Sequence, residues 1–573
     1  MLRLHLTFCA LALARAFQPR PYAAAAASVR SIGFRGGKSS GPQSFHSLQA
    51  LSTPEEVEHM QMLKSQDGRW AKRTKQVATL GPASSSREVI EALFRAGVDV
   101  FRLNFSHGEA TEKKALVDLI RSIEEQYDHP IAILADLQGP KQRVEQFQGD
   151  GSVMLRDGQS FRFDLDVQRL GDETRVGMPH PEIINTLQVG DTLLLDDGKL
   201  RMTVTGSGDG FVDCNVDIGG KLSNRKGVNT PTIVLPISPL TPKDREDLLH
   251  AMSFEVDWVA LSFVQKAADM AELRGITGNK VKILAKIEKP QAVDDLKEIL
   301  NYSDGIMVAR GDLGVEMQPW EVPVIQKRII RACREVGKPV IVATQMLESM
   351  IDNPTPTRAE ASDVATAVYD GADAVMLSGE SAAGKFPLES VRMQADIIAN
   401  VERDPDYLER IHEDSMKDIV GGTSQNDPTN AIVQSGRSIA REVQATAIIC
   451  FSVTGTTVLK TSQSRPEVPI MAITDNIRTA RFLALSWGIY PVVVPRGVIT
   501  SIGIKDAVRA AARSSMEKGL ARNPADLLVM MAGLPFGTPG VVNFLRICPA
   551  GGPDVWEPPT PGSGLLANHD AHM

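Results

Sequence analysis

The sequence predicts an α/β chain: a parallel (β/α)8 TIM barrel, an inserted small β-barrel domain and a C-terminal α/β domain. Three observations lead there. Short apolar runs alternate with amphipathic helical stretches across residues 75–140 and again across 237–403, the rhythm of parallel strands joined by helices. Between them, residues 141–236 break into brief alternating strands (TLLLDDG, LRMTVTG, GFVDCNVDI) separated by Gly and Asp turns. Several apolar runs also end in charged or hydroxyl side chains. That is costly for packing, but suits the carboxyl-terminal rim of a barrel, where strand ends converge on an active site.

In chain order, residues 1–54 contain no Asp or Glu but carry six basic residues, Arg3, Arg15, Arg20, Arg30, Arg35 and Lys38. An apolar run over 2–14 ends in an Ala-Arg-Ala cleavage pattern, and an Ala-, Arg- and Ser-rich stretch opening at Phe17 follows. This combination resembles the bipartite leaders that target plastids of red-algal secondary origin. A mitochondrial presequence and a plain secretory route are the alternatives.

A polar, partly helical lead-in (55–74) precedes the first strand, 75–80, and a serine run then caps a helix over 88–96 striped by Val89, Ile90, Leu93 and Phe94. The second strand, in VDVFRLNFSHG, ends in Arg102, Asn104, Ser106 and His107; the third, 131–137, ends at Asp136. In the insert, Arg225 and Lys226 stand beside glycine, where they can reach a polyphosphate. After it, Thr241 and Asp244 form a variant capping box. Strands at 258–263, 282–287, 305–309, 340–343 and 373–377 complete the eight, the last two closing on Thr344 and on Ser378 and Glu380. The two blocks together approach the usual barrel length of about 250 residues. A helical linker (404–429) leads to residues 430–549, where the strands TAIICFS, IMAIT, YPVVVP and LLVMMAG alternate with helices; the Gly- and Pro-rich tail, 550–573, reads as disordered.

At 573 residues the chain exceeds one ordinary core. Its 43% hydrophobic and 23% charged residues are a globular composition. A net charge of −8 with no long basic run argues against nucleic-acid binding, but leaves room for anionic substrates at local positive charge. The five cysteines are far apart and lack a CxxC, which argues against a disulfide framework or zinc site and favours buried thiols.

Residues 282–316 concentrate the chemistry. Lys286 and Glu288 close one strand, Arg310 and Asp312 follow the next, and a helix is expected over 291–300 between them. Two carboxylates on neighbouring strands can hold a hard divalent cation through oxygen. The lysine beside them supplies positive charge where negative charge develops, so the stretch points to phosphoryl or enolate chemistry. A helix cap is the alternative for Asp312 and a solvated loop carboxylate the alternative for Glu288; the site is the favoured reading of each, and their pairing at adjacent strand ends strengthens it. Cys333, beside Ile329 and Val336, reads as core. The segment 452–458, SVTGTTV, is either an anion cradle or a plain strand-to-helix turn.

The stretches RLNFSHG, DLQGPK, GGKLSNRKGVN, AKIEKP, GIMVARGDLGVE, ATQMLESM and PTRAEASDVATAVYDGADAVMLSGESAAGKFP occur in this order. Across residues 75–547 the chain resembles the pyruvate kinases. The resemblance implies transfer of the phosphoryl group of phosphoenolpyruvate to ADP in glycolysis, giving ATP and pyruvate, by an allosteric homotetramer with no membrane association. It implies that Glu288 and Asp312 hold Mg2+ or Mn2+, and that Lys286 neutralises the phosphoryl group and steadies the enolate. Arg102 would contact phosphate, and the amides of Gly311 and Asp312 would take the substrate carboxylate at a helix start. Thr344 would help deliver a proton through water. Asn104, His107, Arg143 and Lys226 match nucleotide-contacting positions, the last two from an insert acting as a lid; a structural hydrogen bond is an equal reading for His107. Members that need potassium carry Glu at the position of Lys141, and ligate the ion through residues matching Asn104, Ser106 and Asp136. The Lys141 ammonium is therefore expected to make K+ dispensable. Gln142 and the VEQF after Arg143 are milder departures near the lid hinge. Ser452, Thr454 and Thr456 are candidates for binding a sugar-phosphate effector.

Overall fold

The computed structural model describes Arg69 and residues 72–231, 233–411, 427–497, 499, 503–536 and 541–552. The leader, most of the lead-in, much of the linker and nearly all of the tail lie outside these residues. Strands β1 (Lys75–Leu80), β2 (Val100–Asn104) and β3 (Ala132–Asp136) come before the insert. The insert contains β4 (Ser152–Leu155), β5 (Ser160–Asp164), β6 (Arg175–Gly177), β7 (Thr192–Leu195), β8 (Leu200–Gly208), β9 (Phe211–Ile218), β10 (Gly220–Ser223) and β11 (Val228–Asn229). Then come β12 (Trp258–Leu261), β13 (Lys282–Ile287), β14 (Gly305–Ala309), β15 (Val340–Ala343) and β16 (Ala374–Leu377). The first three and last five of these close into one parallel barrel, ordered β1-β16-β15-β14-β13-β12-β3-β2.

Strand alternation builds two apolar layers. Inward positions such as Val77, Leu134, Leu284, Met307 and Ile341 fill the barrel, while Ile133, Ile283, Val308 and Val342 pack outward against the helices. Local signals fix the helix starts: Ser86 accepts the Val89 amide, and Thr241 and Asp244 each accept the other's backbone N–H.

Three details differ from expectation. The helix expected over 291–300 is two pieces, Pro290–Asp294 and Leu296–Tyr302, because Asp295 turns aside and its Oδ2 accepts the Ala267 amide at 2.7 Å. Strand β12 stops at Leu261, and Phe263, with φ +57°, turns the chain at the rim. The third is in the C-terminal sheet.

The insert folds around its own core of Phe161, Phe163, Leu193, Met202 and Val216. It joins the barrel through a paired crossing, in which Val144 donates to the Lys226 carbonyl and Val228 to the Gln142 carbonyl, both at 3.0 Å. The C-terminal sheet contains β17 (Ala447–Phe451), β18 (Ile470–Thr474), β19 (Ile489–Val493), β20 (Leu527–Ala532) and β21 (Phe544–Pro549), ordered β19-β18-β17-β20-β21. The last strand, antiparallel at the edge, is the one the sequence hides: FLRICP has a half-exposed face, an arginine and no clean alternation. Cys214, Cys333, Cys450 and Cys548 are buried. Among the described residues no helix is long and apolar enough to cross a membrane.

His129 fills the seam between barrel and C-terminal domain, its ring 4.7 Å from that of Tyr490 and 5.7 Å from that of Phe94. Burial, reinforced by Arg69, holds its pKa well below the usual histidine range. The unfolded chain therefore binds a proton that the native state excludes. This contribution to stability is whole above about pH 6.5 and is lost at about 1.4 kcal/mol per pH unit as pH falls below it. Urea midpoints compared between pH 7.5 and 5.5 should show a fall in the wild type that His129→Phe reduces; equal falls in the two proteins would contradict the assignment.

Candidate active site

The parallel registers bring the charged strand ends to one rim. Asn104 lies beside Asp136, and Lys286 beside Met307, so Arg102, Asp136, Lys286 and Glu288 come from three strand ends. They open into a cavity of about 230 Å³ that Asn104, Ser106, His107, Lys141, Arg143 and Asp312 also line. At its centre is a buried charge cluster. Asp136 accepts from Arg102 Nε at 2.7 Å and lies 3.3 Å from Lys286 Nζ, while Lys286 Nζ is 2.8 Å from Glu288 Oε1 and donates to Ser262 Oγ at 2.7 Å.

Each protonation state has a physical cause. Burial alone would depress the Lys286 ammonium, but Asp136 and then Glu288 outweigh it and hold the group above the ordinary lysine range. Burial opposes ionisation of Asp136, and Lys286 and Arg102 more than compensate, so it stays below its usual range. Glu288 goes the other way. Burial, added to by the Asp312 carboxylate, pushes it up to about 6 against the pull of Lys286 and the Phe263 amide.

Glu288 Oε2 accepts the Phe263 amide at 2.7 Å, whereas buried Oε1 touches the Lys286 charge without an aligned hydrogen bond. An oxygen so placed, with a second carboxylate on the same cavity, suits a hard cation. Among the described residues no group of three or more His, Cys, Asp or Glu side chains could hold a metal. A two-carboxylate site is the form Mg2+ takes when substrate oxygens and water complete its shell.

On the neighbouring side, Gly311 and Asp312 open the helix Arg310–Glu316. The Gly311 amide, expected to face a carboxylate, donates to Thr344 Oγ1 at 2.7 Å. Thr344 and Gln345 both have positive φ, +68° and +54°. Such conformations cost about 1–3 kcal/mol each and persist only where surroundings enforce them. A second cavity of about 670 Å³ lies on this side, sharing Lys141 and Asp312 with the first. Lys141 is exposed and lines both.

Two groups of expected residues are engaged elsewhere. Lys226 lies 2.6 Å from Asp196 within the insert, and is not among the residues that line either cavity. Ser452 Oγ accepts the Gly455 amide, and the Thr454 and Thr456 hydroxyls bond each other at 3.1 Å, so these groups serve a local turn before a helix. Sequence reasoning missed Ser262, the Phe263 amide and Gln138. For Ser262 the signal was present: a hydroxyl closing the apolar run WVALSF, as at the other strand ends.

A closed parallel barrel whose rim carries two carboxylates and a buried charged lysine, with an insert joined by two crossing segments, defines a barrel enzyme with a charged rim site. The comparisons narrow the class. Residues 71–391 match the family model "Pyruvate kinase, barrel domain", and 430–548 match "Pyruvate kinase, alpha/beta domain". A pyruvate kinase of Methylorubrum extorquens is 46% identical, over 83% of this chain and 97% of that protein. Pyruvate kinase 2 of Synechocystis is 41% identical, over 83% of this chain and 79% of that protein. The crystal structure of a pyruvate kinase from Cryptosporidium parvum aligns with a TM-score of 0.79 at 32% identity, covering 84% and 97% of the two chains. The chain belongs to the pyruvate kinase family.

Asp136 holds two cations at once, so Asp136→Asn should destabilise the protein by about 3 kcal/mol or more, read by urea titration. A loss below about 1 kcal/mol would show that the cluster is not the buried ion network described.

Proposed function

We propose that this chain transfers the phosphoryl group of phosphoenolpyruvate to ADP, giving ATP and pyruvate, in the rim cavity between Arg102, Lys286, Glu288 and Asp312. The observation that carries the reading is the buried, charged Lys286 beside a carboxylate pair, on the barrel of a pyruvate kinase family member. Phosphoenolpyruvate is an enol phosphate, so its leaving group is an enolate whose charge must be met as the phosphorus–oxygen bond breaks. Lys286 is a fixed positive charge for that oxygen and for the phosphoryl group, and preorganised charge of this kind is usually the largest catalytic term. Arg102, held by Asp136 and by Thr79 at 3.0 Å, lines the same cavity as Lys286, which supports its reading as the phosphate contact. Glu288 and Asp312 would hold Mg2+ or Mn2+, which when bound supplies Lewis-acid stabilisation to oxygens gaining charge.

The enolate carbon finally takes a proton. We assign to Thr344 the orientation of the donor water, and to the amides at Gly311 and Asp312 the substrate carboxylate, which must displace Thr344 from Gly311. Asn104, His107, Arg143 and Lys226 would contact ADP. Closure of the insert would exclude water and move Lys226 from Asp196 to the nucleotide. Lys141 lines the same cavity as Asn104, Ser106 and Asp136, which supports the reading that its ammonium replaces K+. A homotetramer, plastid import through residues 1–54, and effector binding by Ser452, Thr454 and Thr456 complete the proposal. A fluorescent fusion of residues 1–60 in a cell with a complex plastid tests the second, and unchanged activation by a sugar phosphate in Thr454→Glu would remove the third.

Two outcomes check the site. Glu288→Gln and Asp312→Asn should each abolish Mn2+ binding seen by electron paramagnetic resonance, and lower kcat for phosphoenolpyruvate and ADP by about 10³-fold; retention of Mn2+ by both would remove the metal assignment. In sodium-free Tris, turnover should be the same with and without added K+, and Lys141→Glu should become K+-dependent. Strong activation of the wild type by K+ would refute the ammonium's role.

A further inference from the structure

We propose that Arg310 is a positioning residue for this reaction: it holds the strained Thr344–Gln345 turn, and thereby sets where the Thr344 hydroxyl stands. The inference rests on the functional reading above. Both turn residues have positive φ, and for a β-branched threonine that region is sterically disfavoured, so the turn relaxes unless its neighbours prevent it. One side chain does much of this. Arg310 Nη2 donates to the Thr344 carbonyl at 2.6 Å, and Nε donates to the Ala343 carbonyl at 3.3 Å. Its fork therefore fixes the peptide planes on both sides of Thr344. The third arm, Nη1, donates to Asp363 Oδ1 at 2.7 Å, on the helix Arg358–Tyr369, which orients the fork. The guanidinium side chain is only 11% exposed.

The contacts converge on the reacting side of the turn. The Thr344 hydroxyl donates to the Ala343 carbonyl and accepts the Gly311 amide, both at 2.7 Å, and Gly311 is the residue after Arg310. One guanidinium thus ties the helix start after β14 to the turn after β15. Arg310 Nη2 also lies 2.8 Å from Met346 Sδ; from Leu347 onward the loop has anchors of its own, since Glu380 accepts the Leu347 amide and Glu360 the Ser349 amide. Loss of Arg310 should free Thr344 and Gln345 while the loop and the barrel stay folded. A lysine has no planar fork to bridge two carbonyls and a carboxylate, so Arg310→Lys is not a conservative change.

The test compares full-length wild type, Arg310→Lys and Arg310→Met by steady-state kinetics with phosphoenolpyruvate and ADP, Mn2+ titration, and proton exchange at the methyl carbon of pyruvate. Misplacement of this order should lower kcat and the exchange rate about 30- to 100-fold. The KM for ADP and the Mn2+ affinity should not change, and added methylguanidine should restore part of the activity of Arg310→Met. Wild-type kcat in both variants would overturn the proposal, as would loss of Mn2+ affinity in step with kcat, which would assign Arg310 to the metal-bearing helix instead. If Arg310→Met fails to fold, Asp363→Asn decides in its place: a several-fold loss of kcat at constant Mn2+ affinity supports the role, and an unchanged kcat overturns it. An inactive wild type would sink the functional reading and this inference together, whereas active wild type with active variants sinks only the inference.

Discussion

The protein depends on keeping one lysine charged where charge is costly. Lys286 sits at the end of an apolar strand, and burial works against its ammonium. Asp136 from the third strand and Glu288 two residues on reverse that balance. The same three groups set the remainder of the rim: Asp136 also aims Arg102, and Glu288 also ties down the Phe263 turn. An ion network of this kind adds little net stability, because desolvation offsets attraction. Its value is a fixed field at the rim, and that is the form of catalysis the proposed transfer needs.

The barrel supplies the geometry that this field requires. Closure of eight parallel strands sends every strand's carboxyl end to one face, so residues distant in sequence, such as Arg102 and Lys286, share a single carboxylate. The insert leaves the barrel at that same rim through a two-stranded crossing. Its core is separate from the barrel's, which suits a body that moves as a unit.

Much of this was legible in the sequence because each signal was local. The parallel strands announce themselves as short apolar runs, and the rim as charges on their ends. Lys286 and Glu288 were readable for the same reason, being out of place in KILAKIEKP. What was hidden depends on tertiary partners. The break at Asp295 serves the amide of a different helix, and β21 is a strand only because β20 offers it an edge. Lys226 looks like a phosphate ligand in sequence, yet Asp196, brought close by the insert's own sheet, engages it. The strain at Thr344 also has no sequence signature, since threonine is ordinary at a strand end and its φ is fixed by an arginine 34 residues away.

The most direct measurement is single-turnover phosphoryl transfer from phosphoenolpyruvate to ADP in Lys286→Met, with Mn2+ affinity measured on the same preparation. If Lys286 supplies the fixed positive charge, transfer should fall by about 10³-fold or more while Mn2+ binds at least as tightly as in the wild type. Transfer at the wild-type rate by a Mn2+-loaded Lys286→Met enzyme would contradict the account.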